Sequence, residues 1–353
     1  THAMSKIYAN PFSWGEPVKG NNYLQRSSEQ SEILSIVEKQ FHLILTGKRG
    51  TGKTSLIHFV MEKSVIPSVY LDLKFIVSRE ELLQLLLAGI ETSHPLAKSD
   101  ARLNALRTDL SQTTLSQIFD FWYDLVKQNG KKLFLVWDEF QHLLKFKESI
   151  VDELRSALTG RRGSISHVFI SHRADLLEDV FIPRGESFFI NQEVYEVENF
   201  DQKACSRFLA QRFRRMGLTD FDLPDAIFKF TEGQPQLTQY LAHALAQLWL
   251  EGNTTRMLQR TLSKLLKEHN VLYTSMWDSF GLNEKRLMLG LAEGFSRPTE
   301  LGFIRQFGLS ATSTAHNTAT KLVREGWLVN RDEGYHIYDP LLLQWLQSRA
   351  GSR

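Results

Sequence analysis

The sequence predicts an α/β protein: a parallel sheet of five strands, expected in the order 5-1-4-3-2, followed by a helical unit and a C-terminal winged helix-turn-helix. Three observations carry this. Short apolar runs alternate with segments of helical spacing from residue 28 to residue 197. Strand signals then stop at Asp201, and only helical patterns follow as far as residue 270. Near the C-terminus, three helical patterns precede two short strands around Arg331-Asp332-Glu333-Gly334, a hairpin turn.

In chain order, residues 10 to 26 mix aromatics with turn formers and read as an ordered arm laid on a domain. A helix is expected from Ser28 to Gln40, a strand over Phe41–Thr46 and a helix over Lys53–Lys63. Val69–Leu73 alternates as a second strand, helices are expected at 79–92 and 114–128, and Lys132–Trp137 is a nearly all-apolar third strand. A helix at 147–159, a strand at Ser166–Ser171, a helix at 174–180 and a strand over Glu193–Val197 complete the first unit. Helices follow at 201–216, 224–230, 235–250 and 254–270, then at 283–294, 299–307 and 310–325. The expected domains are therefore 1–200 (arm and α/β core), 201–275 (helical lid) and 276–353 (winged helix).

Between the first strand and its helix, Gly47-Lys48-Arg49-Gly50-Thr51-Gly52-Lys53-Thr54 matches GxxxxGK[ST], the phosphate-binding loop. Glycines let successive N–H groups point inward around a phosphate, and the helix N-terminus adds its positive end. Gly47, Lys48, Arg49, Gly50, Thr51, Gly52, Lys53, Thr54 and Ser55 are thus the candidate phosphate contacts, with Lys53 neutralising the β- and γ-phosphates. Thr54 offers Mg²⁺ a hydroxyl, an oxygen ligand of the kind that hard cation prefers. The loop implies nucleoside triphosphate binding on a P-loop NTPase core and says nothing about the base.

The third strand ends in Asp138-Glu139. The first carboxylate is expected to hold Mg²⁺ and the second to polarise the attacking water. Ser171, at the end of the fourth strand, falls beside them if that strand lies between the loop strand and the acidic strand. Arg161, Arg162, Arg173 and Arg184 are the nearby candidates to place positive charge on the transferred phosphoryl group, with Arg184 favoured.

Composition narrows the rest. A formal charge of +2 excludes bulk basicity as an argument for nucleic acid. A single cysteine, Cys205, excludes an internal disulfide and suits a reducing compartment. No run of 18 apolar residues is present, so the expectation is a soluble, cytoplasmic protein with no membrane partner.

Together these residues resemble the AAA+-related P-loop ATPases of the STAND and archaeal-ATPase groups. The Asn10-Pro11-Phe12 arm with Tyr23-Leu24-Gln25-Arg26 is similar to an N-terminal box that lies near the adenine in such proteins. Thr231-Glu232-Gly233-Gln234-Pro235 resembles the Gly-x-Pro motif that opens a lid helix, and Asp339-Pro340 through Trp345-Leu346 resembles the tail of the archaeal group. The resemblance implies ATP or ADP as ligand and adds Tyr23, Arg26 and Pro235 to the nucleotide-binding set. One departure stands out: where many AAA+ enzymes place an arginine in the lid helix, Gly233 to Tyr240 carries Gln234, Gln236 and Gln239.

In a helix-turn-helix the last helix enters the major groove. Thr312, Ser313, His316, Asn317, Lys321 and Arg324 lie on it, and Arg331 sits in the wing, which makes double-stranded DNA a candidate partner. Residues 297–353 hold seven basic residues against five acidic ones, a weak balance for a phosphate-hugging module, so a protein-interaction role stays open. Two functions are thus expected: a Mg²⁺-dependent ATPase whose nucleotide state gates DNA contact or homo-oligomer assembly, or a nucleotide-dependent switch with negligible turnover.

Overall fold

Strands that are apolar at nearly every position need cover on both faces, and the sheet shows how they receive it. The computed structural model describes residues 9–15, 24, 26–146, 150–161 and 163–350. The chain divides into two units, Gln25–Glu198 and Asn199–Arg353, the second also including the arm before residue 25.

The first unit runs α1 (Ser27–Glu38), β1 (His42–Thr46), α2 (Lys53–Lys63), β2 (Ser68–Asp72), α3 (Arg79–Ser93), α4 (Ala101–Thr108), α5 (Leu115–Gln128), β3 (Leu133–Asp138), α6 (Ile150–Leu158), β4 (Ile165–Ile170), α7 (Ala174–Phe181) and β5 (Gln192–Glu196). The strands pair in parallel in the order β2-β3-β4-β1-β5, the expected order read from the opposite edge. Alternate residues face opposite sides. Leu43, Leu45, Phe134 and Val136 therefore pack with Ile33, Val37, Leu56 and Val60 of α1 and α2. Ile44, Leu135, Trp137 and Phe169 meet Leu83, Leu86, Phe119 and Leu154 of α3, α5 and α6. The central strands β3 and β4 are buried throughout, whereas β5, at the edge, is largely open.

The second unit holds α8 (Gln202–Arg215), α9 (Leu223–Thr231), α10 (Pro235–Leu250), α11 (Met257–Ser279), α12 (Leu282–Ala292), α13 (Leu301–Phe307), α14 (Thr312–Arg324), β6 (Leu328–Arg331), β7 (Gly334–Ile337) and α15 (Pro340–Ala350). The hairpin pairs Leu328 with Ile337 and Arg331 with Gly334, as its turn residues indicated. Gly334 is held at φ +125°, and a Cβ there would meet the Ser296 carbonyl oxygen at 2.3 Å.

Four features depart from the sequence reading. The arm joins the C-terminal unit rather than the α/β core: Phe12 is buried 5.0 Å from the Phe213 ring, and Asn10 Nδ2 donates to the His243 carbonyl at 2.9 Å. Helix α4 was missed because Leu103 is its one buried residue, leaving almost no apolar face to detect. Helix α11 continues to Ser279, so the expected boundary at 275/276 falls inside it. The missed helix α15 explains that continuation, since Trp345 Nε1 donates to Asn270 Oδ1 at 3.0 Å and Tyr273 OH to Asp339 Oδ2 at 3.1 Å. Lid-type helices and winged-helix elements consequently share one core, from Phe208 and Leu241 through Leu287 and Phe303 to Leu322 and Leu346.

Within that core α12 passes α13 closely enough that a Cβ on Gly290 would stand 2.3 Å from Phe303 Cε2. The Phe303 ring is buried against Phe295 and Phe307 and has nowhere to retreat. Gly290→Ala should therefore destabilise the protein by about 1–3 kcal/mol, the usual cost of overpacking, read as a lowered midpoint in denaturant unfolding.

Candidate nucleotide site

The loop between β1 and α2 bends through three glycines with positive φ: Gly47 at +135°, Gly50 at +82° and Gly52 at +86°. Side-chain-bearing residues rarely adopt these angles. Gly47 is needed for a second reason, because a Cβ there would lie 2.4 Å from the Val197 carbonyl oxygen just beyond β5. Gly52 caps α2, so the helix N-terminus opens directly onto the loop.

Lys53, the first residue of α2, folds back over this loop. Its Nζ donates to the carbonyls of Gly47 at 2.6 Å and Lys48 at 2.8 Å, and Thr51 Oγ1 donates to the Lys48 carbonyl at 2.9 Å. Burial pushes the Lys53 ammonium down to about 8, partly offset by the charges of Glu139 and Asp138. Among the described residues no carboxylate stands within ion-pair reach of it. A buried cation satisfied only by carbonyls suits a site made for a polyanion.

Arg26 braces the loop from outside. Its guanidinium donates to the Thr51 carbonyl at 2.9 Å and the Glu198 carbonyl at 2.8 Å, and pairs with Glu29 at 3.0 Å. Its observed partners are therefore the phosphate loop and the exit of β5. Tyr23, expected beside it, lies outside the described residues. Pro235 stands at the first turn of α10 in the C-terminal unit.

Because β3 ends level with β2, Asp138 is in register with Asp72, and its carboxylate meets α2. Thr54 Oγ1 donates to Asp138 Oδ2 at 2.8 Å across 84 residues of sequence. Tyr70 OH donates to the same oxygen at 2.6 Å, and the Glu139 amide donates to Oδ1 at 2.9 Å. Burial raises the Asp138 carboxyl above the usual range, while the hydrogen bonds from Tyr70 and Thr54 pull it back. The Tyr70 hydroxyl is pushed up by burial and by Asp138, so it stays a donor at neutral pH. A hydroxyl and a carboxylate oxygen thus converge as a hard divalent cation requires.

Glu139 follows in the left-handed region, φ +58°, which turns its side chain out of the strand's alternation. Gln141 Nε2 donates to Glu139 Oε2, while Ser171 Oγ donates to Gln141 Oε1 at 2.6 Å. Since β4 does insert between β1 and β3, Ser171 reaches the acidic pair, but through Gln141 rather than directly. His172 Nδ1 lies 3.9 Å from Glu139 Oε2. Burial, followed by the charges of Lys53, Arg49 and Arg173, holds its imidazole down to about 4, so the contact is not an ion pair at neutral pH.

Of the arginine candidates only Arg173 lies beside the site among the described residues, its amide donating to Ser171 Oγ at 2.9 Å. Arg161 pairs with Asp120 at 2.5 Å, Arg173 pairs with Asp175 at 2.7 Å, and Arg184 is exposed on a short turn at φ +59°. Arg162 lies outside the described residues. Sequence reasoning missed Tyr70 and Gln141. The signals were present: Tyr70 shares a strand face with Asp72, and Gln141 stands two residues beyond Glu139.

In the C-terminal unit, Thr312, Ser313, His316, Asn317, Lys321 and Arg324 are all exposed on α14, opposite buried Ala315, Ala319 and Leu322. Two of the expected cations are already engaged. Lys321 Nζ lies 2.5 Å from Glu284, and Arg331 pairs with Glu232 in the turn before α10.

Comparison with known proteins agrees with this geometry. Residues 16–267 match the family described as Novel STAND NTPase 1, and residues 271–348 match a probable winged helix domain. No curated protein matches the chain. The Walker-type ATPase of Pyrococcus abyssi superposes with a TM-score of 0.73 at 20% identity, covering 96% of this chain and 99% of that one. The Aeropyrum pernix ORC2 protein, in its ADPNP–ADP complexes, gives 0.60 at 15% identity over 94% and 96% of the two chains. The ORC1 protein of the same organism, in complex with DNA, gives 0.51 at 14% over 93% of each. At these identities the likeness establishes the fold. With a family match over more than half its length, a phosphate loop facing an acidic strand and a C-terminal winged helix, the chain belongs to the STAND NTPases.

Proposed function

We propose that this protein is a Mg²⁺-dependent ATP-binding and hydrolysing switch whose nucleotide state governs DNA contact or assembly through the winged helix. The observation that carries the nucleotide reading is the Thr54–Asp138 hydrogen bond at 2.8 Å, which joins the two motifs that such chemistry needs. The loop amides and Lys53 would hold the phosphates, and Thr54 and Asp138 would hold the metal. When bound, the metal neutralises charge on the phosphate oxygens. Tyr70 keeps the Asp138 carboxylate oriented, and Glu139 is the base that takes the proton of the attacking water. Adenine as the base rests on the family resemblance.

A second reading, a switch with negligible turnover, is favoured by a specific arrangement. The Glu139 carboxylate is occupied by Gln141, and Gly233 to Tyr240 contains no arginine. Hydrolysis then requires Gln141 to release Glu139. The exposed polar face of α14 supports DNA contact, with Thr312, Ser313, His316 and Asn317 as the groups for phosphates and base edges. Among the described residues no helix is long and apolar enough to cross a membrane.

Lys53→Ala should weaken nucleotide binding by about two orders of magnitude or more, the loss of roughly 3 kcal/mol of charge-assisted contact, measured by displacement of a fluorescent nucleotide. Wild-type affinity in that variant removes Lys53 from the site.

Glu139→Gln should retain nucleotide and lose phosphate release by about 10²–10⁴-fold. Turnover equal to wild type excludes Glu139 as the base, and near-zero turnover already in the wild type, with or without duplex DNA, selects the second reading.

The depressed Lys53 ammonium sets a pH dependence. In the free protein it is half deprotonated at about 8, and a bound polyanion favours its charged form. Binding above that pH therefore requires proton uptake, so affinity should fall by up to about tenfold per pH unit above pH 8 and carry no such loss below it. A flat affinity profile through pH 9.5 refutes this contact.

A further inference from the structure

We propose that the exposed face of α11 is a binding surface for the phosphodiester backbone of duplex DNA. Residues 252–267 contain four cations, Arg256, Arg260, Lys264 and Lys267, and no acid. At 100° per residue these four fall within an arc of about 80° and span about 16 Å of helix. They lie opposite Thr261, Leu262 and Leu265, which are buried in the unit's core, and all four are exposed. Among the described residues none of the four makes an ion pair.

The stripe forms an open face of one helix, with Gln259 and Ser263 between the cations as neutral hydrogen-bonding groups. The one acid at the rim, Glu268, is approached by the Tyr240 hydroxyl at 3.4 Å. Arg256 caps the helix in the left-handed region, φ +48°, so the positive helix end adds to the same face. Cations four residues apart on a helix are about 6 Å apart, a ladder suited to successive phosphates rather than to a single anion.

Other basic sites are poorer. Arg207 and Arg214 on α8 share their groove with Asp220 and Asp225, and Arg212 is spent stacking on Phe208 at 3.6 Å. On the winged helix, Lys321 and Arg331 are held by Glu284 and Glu232. Four exposed cations without an acid partner thus stand together on α11, while the first half of α14 offers neutral groups and, of its cations, Arg324 alone is not ion-paired among the described residues. The inference rests on the DNA contact proposed above and assigns its electrostatic part to α11, leaving base contact to α14.

The test is fluorescence anisotropy of a mixed-sequence duplex with the full chain, in ATP and Mg²⁺, between about 50 and 200 mM salt. Three variants are compared with wild type. One combines Arg256→Gln, Arg260→Gln, Lys264→Gln and Lys267→Gln; a second combines Arg256→Lys and Arg260→Lys; the third combines His316→Ala and Asn317→Ala. The quadruple variant should lose about 10- to 100-fold in affinity and flatten the log–log salt slope by about 3 to 4, since each phosphate contact contributes about 0.9. The double lysine variant should keep the slope.

A quadruple variant with wild-type affinity and slope overturns the inference. If the α14 variant alone abolishes binding, the winged-helix reading stands without it. Loss in the quadruple variant with an unaffected α14 variant supports the inference and removes base contact by α14. Wild-type protein that ignores DNA yet binds phosphatidylglycerol vesicles through the four cations makes the surface a membrane contact and overturns it. Binding to neither overturns it too, leaving the nucleotide site untouched.

Discussion

Lys53 donates two hydrogen bonds into its own loop, to the carbonyl oxygens of Gly47 and Lys48. Taking an ammonium out of water costs several kcal/mol unless opposite charge accompanies it. Here burial is accompanied by a depressed pKa instead, and the unpaid electrostatic debt is what a polyphosphate would settle. Much of the N-terminal unit serves this arrangement. Three glycines with positive φ bend the chain, Gly47 gives way to the Val197 carbonyl, and Arg26 pins Thr51 from outside.

The sheet order then decides the chemistry. With β4 between β1 and β3, the ends of three neighbouring strands deliver the loop, Ser171 and the acidic pair to one edge. Asp138 is fixed by Thr54, Tyr70 and its neighbour's amide, whereas the Glu139 carboxylate takes one hydrogen bond, from Gln141, with His142 and His172 at 3.9 Å, and sits in an unusual backbone conformation. In the proposed function this contrast separates a fixed metal ligand from a base that one contact must release. In the C-terminal unit the polar groups differ by element: hydroxyl, imidazole and amide groups with Arg324 on α14, four cations without ion pairs on α11, and Arg331 of the wing paired with Glu232.

Sequence made the N-terminal unit legible because its signals are local. The loop motif, the apolar strands and Asp138-Glu139 each fit within a few residues, and the expected strand order is the one observed. Tyr70 and Gln141 escaped because their roles depend on register between strands and on a turn after β3, neither of which is written in residue spacing. The same limit applied to α11 and α15. The polar stretch Glu268-His269-Asn270 looks like a helix end until Trp345 and Asp339 supply partners from far along the chain. The arm misled for a related reason: Phe12 is near the α/β core in sequence, yet its ring packs on Phe208 and Phe213.

Isothermal titration of the full chain with ATP in the presence of Mg²⁺ tests the buried-lysine site most directly. A saturable heat, lost when the metal is chelated or much weakened, is the predicted result. Absence of heat from ATP and from every other nucleoside triphosphate would contradict a phosphate site built on Lys53, Thr54 and Asp138.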